Sequence, residues 1–458
     1  MNVKINEKDN VFVDADTGHK YALCDIRKGE YVVKYGYPIG TATADIKKGD
    51  HVHTHNLSSY ISENEDYTYA READRLVYAP SDRVFSAYVR KNGDIGIRND
   101  IWIVPTVGCV SGVAEKLAAL TGAKALTHPY GCSQLGGDLE ITQKTLADLI
   151  VHPNAGGVLV LGLGCENNNV ASLKKHLKNY DGERVKFLVC QECEDEIEEG
   201  VKIIEELKNI AAKDEKTPVP LSKLRVGLKC GGSDGLSGIT ANPLVGKFTN
   251  KFVAMGGTCV LTEVPEMFGA ERILMNRCKD RETFDKTVKM INGFKSYFSS
   301  HGQPITENPS PGNKDGGITT IEEKSLGCIQ KAGFAPVNDV LDYGETVKEK
   351  GLSLLNGPGN DIVSMTNLFA ASCHMILFTT GRGTPLGSFV PTVKISSNEA
   401  LAKKKPHWID FDASPALDGK DLGEEFFEYV VSVASGEKTK NEIAAQNEIA
   451  IFKDGVIL

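Results

Sequence analysis

The sequence has no long uninterrupted run of apolar residues, and its first ten residues, MNVKINEKDN, contain no apolar core. A membrane-spanning helix needs about 20 mainly apolar residues, and a secretory signal peptide also needs an apolar segment. The absence of both predicts a cytoplasmic protein that has no membrane partner.

Positive charge is also scarce, since the formal net charge of the 458 residues is -9. A protein that binds nucleic acid normally presents a basic stripe to the phosphate backbone. The charge balance therefore argues against a nucleic-acid partner. An anionic small molecule would need a local cationic pocket.

Two glycine-rich segments lack the residues that would complete a nucleotide-binding motif. The segment GLGCEN, which begins at Gly162, has Asn167 where a dinucleotide fingerprint needs its third glycine, and CGGSDG does not end in Gly-Lys-Ser/Thr. We therefore reject NAD and find no support for a phosphate loop. Glu166 suits a metal or a polyol better, and the structural alternative is a strand-to-helix turn capped by Asn167.

The eleven cysteines form an odd set scattered through a large chain, which predicts reduced thiols rather than a disulfide framework. Cys132, Cys165 and Cys230 each follow a predicted strand, so three thiols could hold an iron–sulfur cluster. Buried, inert cysteines are the more common outcome. The pair Cys190 and Cys193 lies among acidic residues that disfavour a thiolate, and we interpret it as structural.

The order of patterns predicts an α/β protein with a small β-rich module at its N-terminus. Short β-type runs broken by Lys-Gly turns occupy residues 1–58, and a polar linker with a bridging segment occupies residues 59–100. From residue 101 to residue 458, short apolar strands alternate with amphipathic helices, which is typical of a mainly parallel sheet. This body could comprise two subdomains.

His51, His53 and His55 alternate along HVHTHN, and a strand would place all three imidazoles on one face. Neutral imidazole binds first-row divalent metals. The pattern therefore indicates a metal site, with a solvated polar strand face as the alternative.

The segment THPYGCSQLGGD suggests acid–base chemistry, because His128 could move a proton near neutral pH and Tyr130 could donate one. Gln134 follows as a hydrogen-bonding residue. A structural glycine–proline corner is the alternative.

The segment NPSPGNKDGGITTIEEKSLGC, residues 308–328, is too rich in proline and glycine for a core element and carries many polar groups. Asn313, Asp315 and Thr319 could hydrogen-bond a polyol. Lys314, together with Arg382 in the turn TTGRGTP, could bind a carboxylate, although Arg382 could instead pair with a structural acid.

In chain order, the sequence contains HVHTHN, IWIVPTVGCV, HPYGCSQLGGD, GLGCENN, KCGGSDGLSG, NPSPGNKDGGITT and FTTGRGTPLG. Over almost its whole length the chain thus resembles the altronate and galactarate dehydratases. The resemblance implies a SAF-type β domain and a hydro-lyase of hexuronate catabolism. The expected reaction is conversion of D-altronate to 2-keto-3-deoxy-D-gluconate.

The resemblance also implies iron or manganese. We expect one divalent ion, with ferrous iron favoured and manganese as the alternative, on His51, His53, His55 and Glu166; an iron–sulfur cluster is less favoured. The expected acid–base groups are His128, Tyr130 and Lys314. Galactarate dehydration, sulfolactate cleavage and non-catalytic sugar-acid binding stay open, as does a homo-oligomer.

Overall fold

The N-terminal region folds into two small antiparallel sheets. The structure is a computed structural model and describes residues 1–62 and 65–455. Strands pair in the orders β1-β2-β3-β6 and β4-β5-β7. Their bounds are β1 Asn2–Val3, β2 Val11–Asp14, β3 Lys20–Ala22, β4 Tyr31–Lys34, β5 Tyr37–Ala42, β6 His51–Val52 and β7 Leu57–Ser58.

The turns of this region match the predicted Lys-Gly punctuation. Gly29 and Gly49 have φ angles of 87° and 90°, a conformation that costs glycine little and other residues more. Val32, Ile39 and Val52 are fully buried between the sheets. Turn chemistry and alternating burial therefore explain this module locally.

The middle of the chain contains a four-stranded parallel sheet in the order β11-β10-β12-β13 and an antiparallel sheet in the order β14-β8-β9. Its elements are β8 Val84–Val89, β9 Ile95–Gly96, β10 Asp100–Pro105, α1 Ser111–Thr121, β11 Lys124–Ala125, α2 Gly136–Ile150, β12 Ala155–Gly162, α3 Val170–Leu173, β13 Val185–Val189, α4 Glu196–Ala211 and β14 Lys216–Pro220.

Helix α4 shows how the sequence directs this region. The Asp195 side chain accepts hydrogen bonds from the backbone N–H groups of Ile197 and Glu198, so the helix begins with a cap. Ile204 and Leu207 are buried beneath it. Residues Lys216–Pro220 form β14 at the edge of the antiparallel sheet, where they pair with β8.

The C-terminal region is built on a seven-stranded parallel sheet in the order β17-β18-β16-β15-β19-β20-β21. Its elements are β15 Arg225–Cys230, α5 Ala241–Ala254, β16 Thr258–Leu261, α6 Glu271–Met275, α7 Arg281–Ser300, α8 Pro311–Asp315, α9 Ile321–Cys328, β17 Val337–Leu341, β18 Gly351–Leu355, α10 Asp361–Ala370, β19 Met375–Thr380, β20 Thr392–Ser396, α11 Glu399–Lys404, β21 Phe411–Asp412, α12 Gly423–Ser435 and α13 Lys440–Ile443.

One hydrophobic cluster joins the two parallel sheets. Trp102 and Val160 of the four-stranded sheet belong to the same cluster as Phe369 of α10 and Phe378 of β19. The predicted fold class, an α/β body with a mainly parallel sheet and a β-rich N-terminal module, is confirmed. The domain boundaries at residues 58 and 100 stay predictions. Within the described ranges, no helix is both long and apolar enough to cross a bilayer.

Candidate functional site

Four imidazoles of the N-terminal module lie together. The Nδ1 atom of His19 lies 3.0 Å from Nε2 of His51, and the His51 ring centroid lies 5.4 Å from that of His53 and 5.6 Å from that of His55. Strand β3 explains the fourth member, because its residue Tyr21 pairs with His51 and thereby brings His19 opposite His53. The predicted histidine face therefore exists and includes His19.

His51 and His53 favour the neutral form. Partial burial, followed by the neighbouring rings of His19 and His53, lowers the pKa of His51 to about 4. Burial also lowers the pKa of His53. Two nitrogens on one tetrahedral ion at the usual metal–nitrogen distance stand about 3.3 Å apart, close to the separation of His19 and His51. The pair His19 and His51 could therefore share one divalent ion, whereas no three of the four imidazoles bring ligand nitrogens within 4.8 Å of one another in the described structure.

The imidazole cluster lies against the body of the protein. The Nε2 atom of His53 is 2.9 Å from the backbone oxygen of Lys314. A side chain on Gly317 would place its Cβ 2.4 Å from the backbone oxygen of Gly18, so glycine is needed for this close approach. The N-terminal module therefore packs directly on the predicted functional loop.

Within that loop, two of the predicted substrate ligands are fully engaged by protein atoms. The Asn313 carboxamide accepts from Ser310 and from Nζ of Lys324 and donates to the backbone oxygen of Ser233. The hydroxyl of Thr319 accepts from Nζ of Lys20. Both side chains are buried and hold the loop in shape, whereas Asp315 is exposed.

Helix α9 links the N-terminal module to the loop through a buried charge group. Glu323 accepts from Lys20 at 2.8 Å and from Lys34 at 2.9 Å, and all three side chains are at most 1% exposed. Burial opposes charge, but the two ammonium groups hold the pKa of Glu323 at about 2. Burial and the nearby Lys34 lower the pKa of Lys20 to about 8.

A second buried group lies at the carboxyl ends of β15 and β16. Glu266 accepts from Lys324 at 2.7 Å, and its other oxygen lies 2.9 Å from Sγ of Cys230 and 3.0 Å from Sγ of Cys328. In the part of the chain that the structure describes, these three acidic and thiol groups form the one set whose ligand atoms all lie within 4.8 Å, so they could hold an ion.

Two predicted cations have no protein partner for their side chains among the described residues. Lys314 is half-buried and Arg382 is exposed. Both loops contact the turn after β15, because Asn313 donates to Ser233 and the N–H of Arg382 donates to the oxygen of Gly232. Unpaired cations at the carboxyl edge of a parallel sheet favour an anion site.

The other predicted site residues lie at the edge of the four-stranded sheet. His128 is buried, its Nε2 lies 2.8 Å from the oxygen of Pro105, and its Nδ1 accepts the N–H of Tyr130. Burial lowers the pKa of His128. Both ring nitrogens are thus occupied by backbone, whereas the Tyr130 hydroxyl has no partner within the described ranges.

The Glu166 side chain stabilises the turn after β12 at this edge. Its carboxylate accepts from the hydroxyl of Thr106 at 2.6 Å and from the N–H groups of Leu163 and Gly164. Although burial opposes this shift, these bonds lower the pKa of Glu166. Gln134 accepts the N–H of Gly131, and its amide nitrogen is buried without a partner in the described structure.

The predicted residues thus fall into two groups. The three histidines, Lys314 and Arg382 are joined through the loops of the seven-stranded sheet, whereas His128, Tyr130, Gln134 and Glu166 surround the four-stranded sheet. Among the described residues, no hydrogen bond or ion pair connects the two groups. Cys230 belongs to the first edge, and Cys132 and Cys165 belong to the second.

Family models match nearly all of this architecture. The SAF domain of altronate/galactarate dehydratase matches residues 13–60, the second domain of D-galactarate dehydratase/altronate hydrolase matches residues 87–212, and the C-terminal domain of D-galactarate/altronate dehydratase matches residues 221–457. The chain belongs to the altronate and galactarate dehydratase family.

Within the altronate and galactarate dehydratase family, sequence identity over nearly the full length differs between relatives. The chain is 53% identical to altronate dehydratase of Escherichia coli, with 97% of this chain and 93% of the relative covered. It is 52% identical to altronate dehydratase of Bacillus subtilis, with 100% and 94% covered. Identity to galactarate dehydratase (L-threo-forming) of Escherichia coli is 30%, with 95% and 89% covered.

Sequence reasoning missed several polar residues of this dehydratase-family site. His19 could have been found from the register of β3 and β6, since it lies two residues before Tyr21 on the same strand face. Glu266, Glu323 and Lys324 gave no local signal, because their burial depends on partners far along the chain. Lys20 was hidden for the same reason.

Proposed function

We propose that this chain dehydrates a sugar acid, and that the substrate is D-altronate, converted to 2-keto-3-deoxy-D-gluconate. The observation that carries the proposal is the pair of unpaired cations, Lys314 and Arg382, beside the imidazole cluster. The full-length similarity to two altronate dehydratases supports this substrate over galactarate.

In the proposed mechanism, Arg382 and Lys314 bind the substrate carboxylate. Two charge-assisted contacts fix the carbon chain and stabilise the negative charge that develops on the carboxylate when the neighbouring carbon loses its proton. The buried partners Asn313 and Thr319 keep the loop rigid, so the cations are positioned before substrate arrives. Asp315, which is exposed, remains available to a substrate hydroxyl.

The proposed divalent ion is ferrous iron, with manganese as the alternative. His19 and His51 would supply two ligands, and His53 and His55 are the further candidates, although in the described structure no third imidazole nitrogen lies within 4.8 Å of both. When bound, the ion would polarise a substrate oxygen as a Lewis acid. Glu166 is saturated by other donors at the second edge, so its assignment as a ligand of this ion has no contact to support it.

Acid–base work needs one group that takes the proton and one that protonates the departing hydroxyl. Of the three residues predicted for this work, Lys314 lies at the edge of the seven-stranded sheet, whereas His128, with both ring nitrogens bonded to backbone, and Tyr130 lie at the edge of the four-stranded sheet. We therefore propose that Lys314 protonates the departing hydroxyl while water accepts the proton of the carbon, since no described contact brings His128 or Tyr130 to the edge where the carboxylate would bind.

A substrate panel tests the proposal. Anaerobically purified protein with ferrous iron would be incubated with D-altronate, galactarate and sulfolactate, and 2-keto acid and sulfite would be measured. We expect 2-keto acid from D-altronate at the highest kcat/KM. Faster turnover of galactarate or sulfite release would assign another activity within the family, and binding of D-altronate without product would indicate a binding protein.

A further inference from the structure

The carboxyl edge of the four-stranded sheet carries an unusual number of thiols. Cys109 follows β10, Cys132 follows β11, Cys165 follows β12, and Cys190 and Cys193 follow β13. Cys109, Cys132 and Cys165 are exposed. These strands are neighbours and run in parallel, so their ends meet at one edge.

Backbone hydrogen bonds hold the three loops with exposed thiols together. The N–H of Gly108, next to Cys109, donates to the oxygen of Tyr130 at 2.8 Å. The N–H of Asn168 donates to the oxygen of Gly131, next to Cys132, at 2.9 Å. The loop of Cys132 is therefore bonded to the loops of both other cysteines.

The chain around Cys132 is held in a shape that few sequences tolerate. Gly131 has a φ of 101°, and a side chain there would place Cβ 2.1 Å from the backbone oxygen of Thr106. Ser133, on the other side, has a φ of 57°, which is uncommon outside glycine. Such strain persists where surrounding contacts enforce it and is concentrated at functional sites.

Exposure of these thiols is itself unusual. Free cysteine is among the most buried residue types, and five cysteines of this chain follow that rule: Cys230, Cys259, Cys278, Cys328 and Cys373. At the edge of the four-stranded sheet, the hydrogen bonds of the exposed thiols within the described ranges are long ones, from Gln191 to Cys165 at 3.6 Å and between Cys132 and Ser133 at 3.8 Å.

The spacing of the three sulfurs argues against a single iron ion and is compatible with an iron–sulfur cluster. Thiolates on one tetrahedral ion lie about 3.8 Å apart, because each metal–sulfur bond is about 2.3 Å long. Among the described residues, Cys109, Cys132 and Cys165 do not form a set within 4.8 Å. A cluster suits wider spacing, since each thiolate can bind a different iron.

We propose that Cys109, Cys132 and Cys165 bind an iron–sulfur cluster at this edge, separate from the imidazole cluster. Three loops from three neighbouring strands supply one exposed thiol each. Three thiolates leave one iron of a four-iron cluster without a protein thiolate, and an open metal position is characteristic of catalytic sites. Cys109 is a ligand in place of Cys230, because Cys230 is buried at the end of β15 in the seven-stranded sheet.

Neighbouring groups fit this assignment. Glu166 accepts the N–H groups of Leu163 and Gly164 and so shapes the turn that presents Cys165. The buried, unpaired amide nitrogen of Gln134 is a donor of the kind that cluster sulfurs accept. Cys190 differs from the three exposed thiols because it is half-buried, and burial raises its thiol pKa to about 11.

The experiment measures iron and acid-labile sulfide per chain after anaerobic reconstitution of the full-length protein with ferrous iron and sulfide. We expect stoichiometric sulfide and visible cluster absorption in the wild type. Cys109→Ser, Cys132→Ser and Cys165→Ser should each lower bound sulfide at least about tenfold. Cys24→Ser, which changes an exposed thiol of the N-terminal module, and Cys193→Ser should retain it.

Two results would overturn the proposal: a wild-type protein that binds iron without sulfide, or a Cys109→Ala/Cys132→Ala/Cys165→Ala variant that keeps wild-type sulfide. Circular dichroism of each variant before reconstitution checks that it is folded, and since the thiols are exposed we expect native spectra. The readout needs no turnover, so it stands apart from the proposed substrate. His51→Ala should leave sulfide unchanged.

Discussion

The two parallel sheets of this protein end in loops of opposite character. The seven-stranded sheet ends in buried lysine–glutamate groups, and beside them Lys314 and Arg382 have side chains without a protein partner among the described residues. The four-stranded sheet ends in exposed thiols with few polar partners. Ion pairs within the chain organise the first edge. At the second edge, the exposed thiols are the groups that we propose bind an iron–sulfur cluster. We therefore propose that the edge of the seven-stranded sheet binds the anionic substrate and that the edge of the four-stranded sheet binds the metal cluster.

Removal of the shared carboxylate should produce the largest effect. Glu323→Gln leaves Lys20 and Lys34 buried without a counter-charge, and we expect a loss of about 3–5 kcal/mol in the free energy of unfolding. Urea unfolding followed by circular dichroism measures it. The matched control, Glu425→Gln, removes an exposed partner of Lys420 and should change stability little. Equal stabilities of the two variants would contradict a tightly paired edge.

Arg382→Ala should weaken the proposed carboxylate contact without unfolding the protein. Loss of a charge-assisted hydrogen bond of about 1.5–3 kcal/mol corresponds to a decrease of roughly 10- to 150-fold in kcat/KM for D-altronate. Arg382→Lys should recover part of this loss, since it restores charge but not bidentate geometry. Arg281→Ala, at an exposed helix position, is the control. Wild-type kinetics in Arg382→Lys would exclude a bidentate role.

The imidazole cluster predicts a pH dependence of stability in the presence of a chelator. The folded-state pKa of His51, about 4, lies below its ordinary value of 6.5. The unfolded chain therefore binds the proton first, and stability should fall as the pH decreases from about 6.5 to about 4. Above pH 6.5 this residue contributes no pH dependence. His51→Gln should flatten the profile in that window, and an unchanged profile would contradict the lowered pKa.

The smallest effect is expected at the thiol edge of the metal-free protein. Cys165→Ser changes an exposed group, and the free energy of unfolding should stay within about 0.5 kcal/mol of wild type. Cys230→Ser, at the buried edge, should cost more, because its sulfur packs against Glu266 and Cys328. Thermal unfolding of the two apo variants measures the difference. A large loss in Cys165→Ser would indicate a structural thiol.

Local patterns were sufficient for much of the fold. Glycine turns delimited the N-terminal strands, and alternating strands and helices indicated parallel sheets. Residues 216–220 give no clear strand pattern because Pro218 and Pro220 suggest a loop, whereas an edge strand tolerates proline where no ladder donor is needed. The strand is defined by its partner β8, which lies more than a hundred residues earlier.

The site was predictable where chemistry follows from one segment. His51, His53 and His55 do lie together, and in the part of the chain that the structure describes the side chains of Lys314 and Arg382 have no protein partner, as the proposed carboxylate site requires. The pairing of Lys20 with Glu323 could not be read from the sequence, because the two residues are 303 positions apart. Lys20 lies in β3 of the N-terminal module, whereas Glu323 lies in α9. For the same reason, sequence alone combined two sheet edges into one site.

The most direct test of the account is turnover of D-altronate by a Lys314→Ala/Arg382→Ala variant compared with wild type. We predict that the wild type forms 2-keto acid. The double variant should remain folded and retain bound metal, but its kcat/KM should fall at least about 100-fold, because both cations proposed to bind the carboxylate are removed. Wild-type kcat/KM in the double variant would contradict the placement of the substrate at the edge of the seven-stranded sheet.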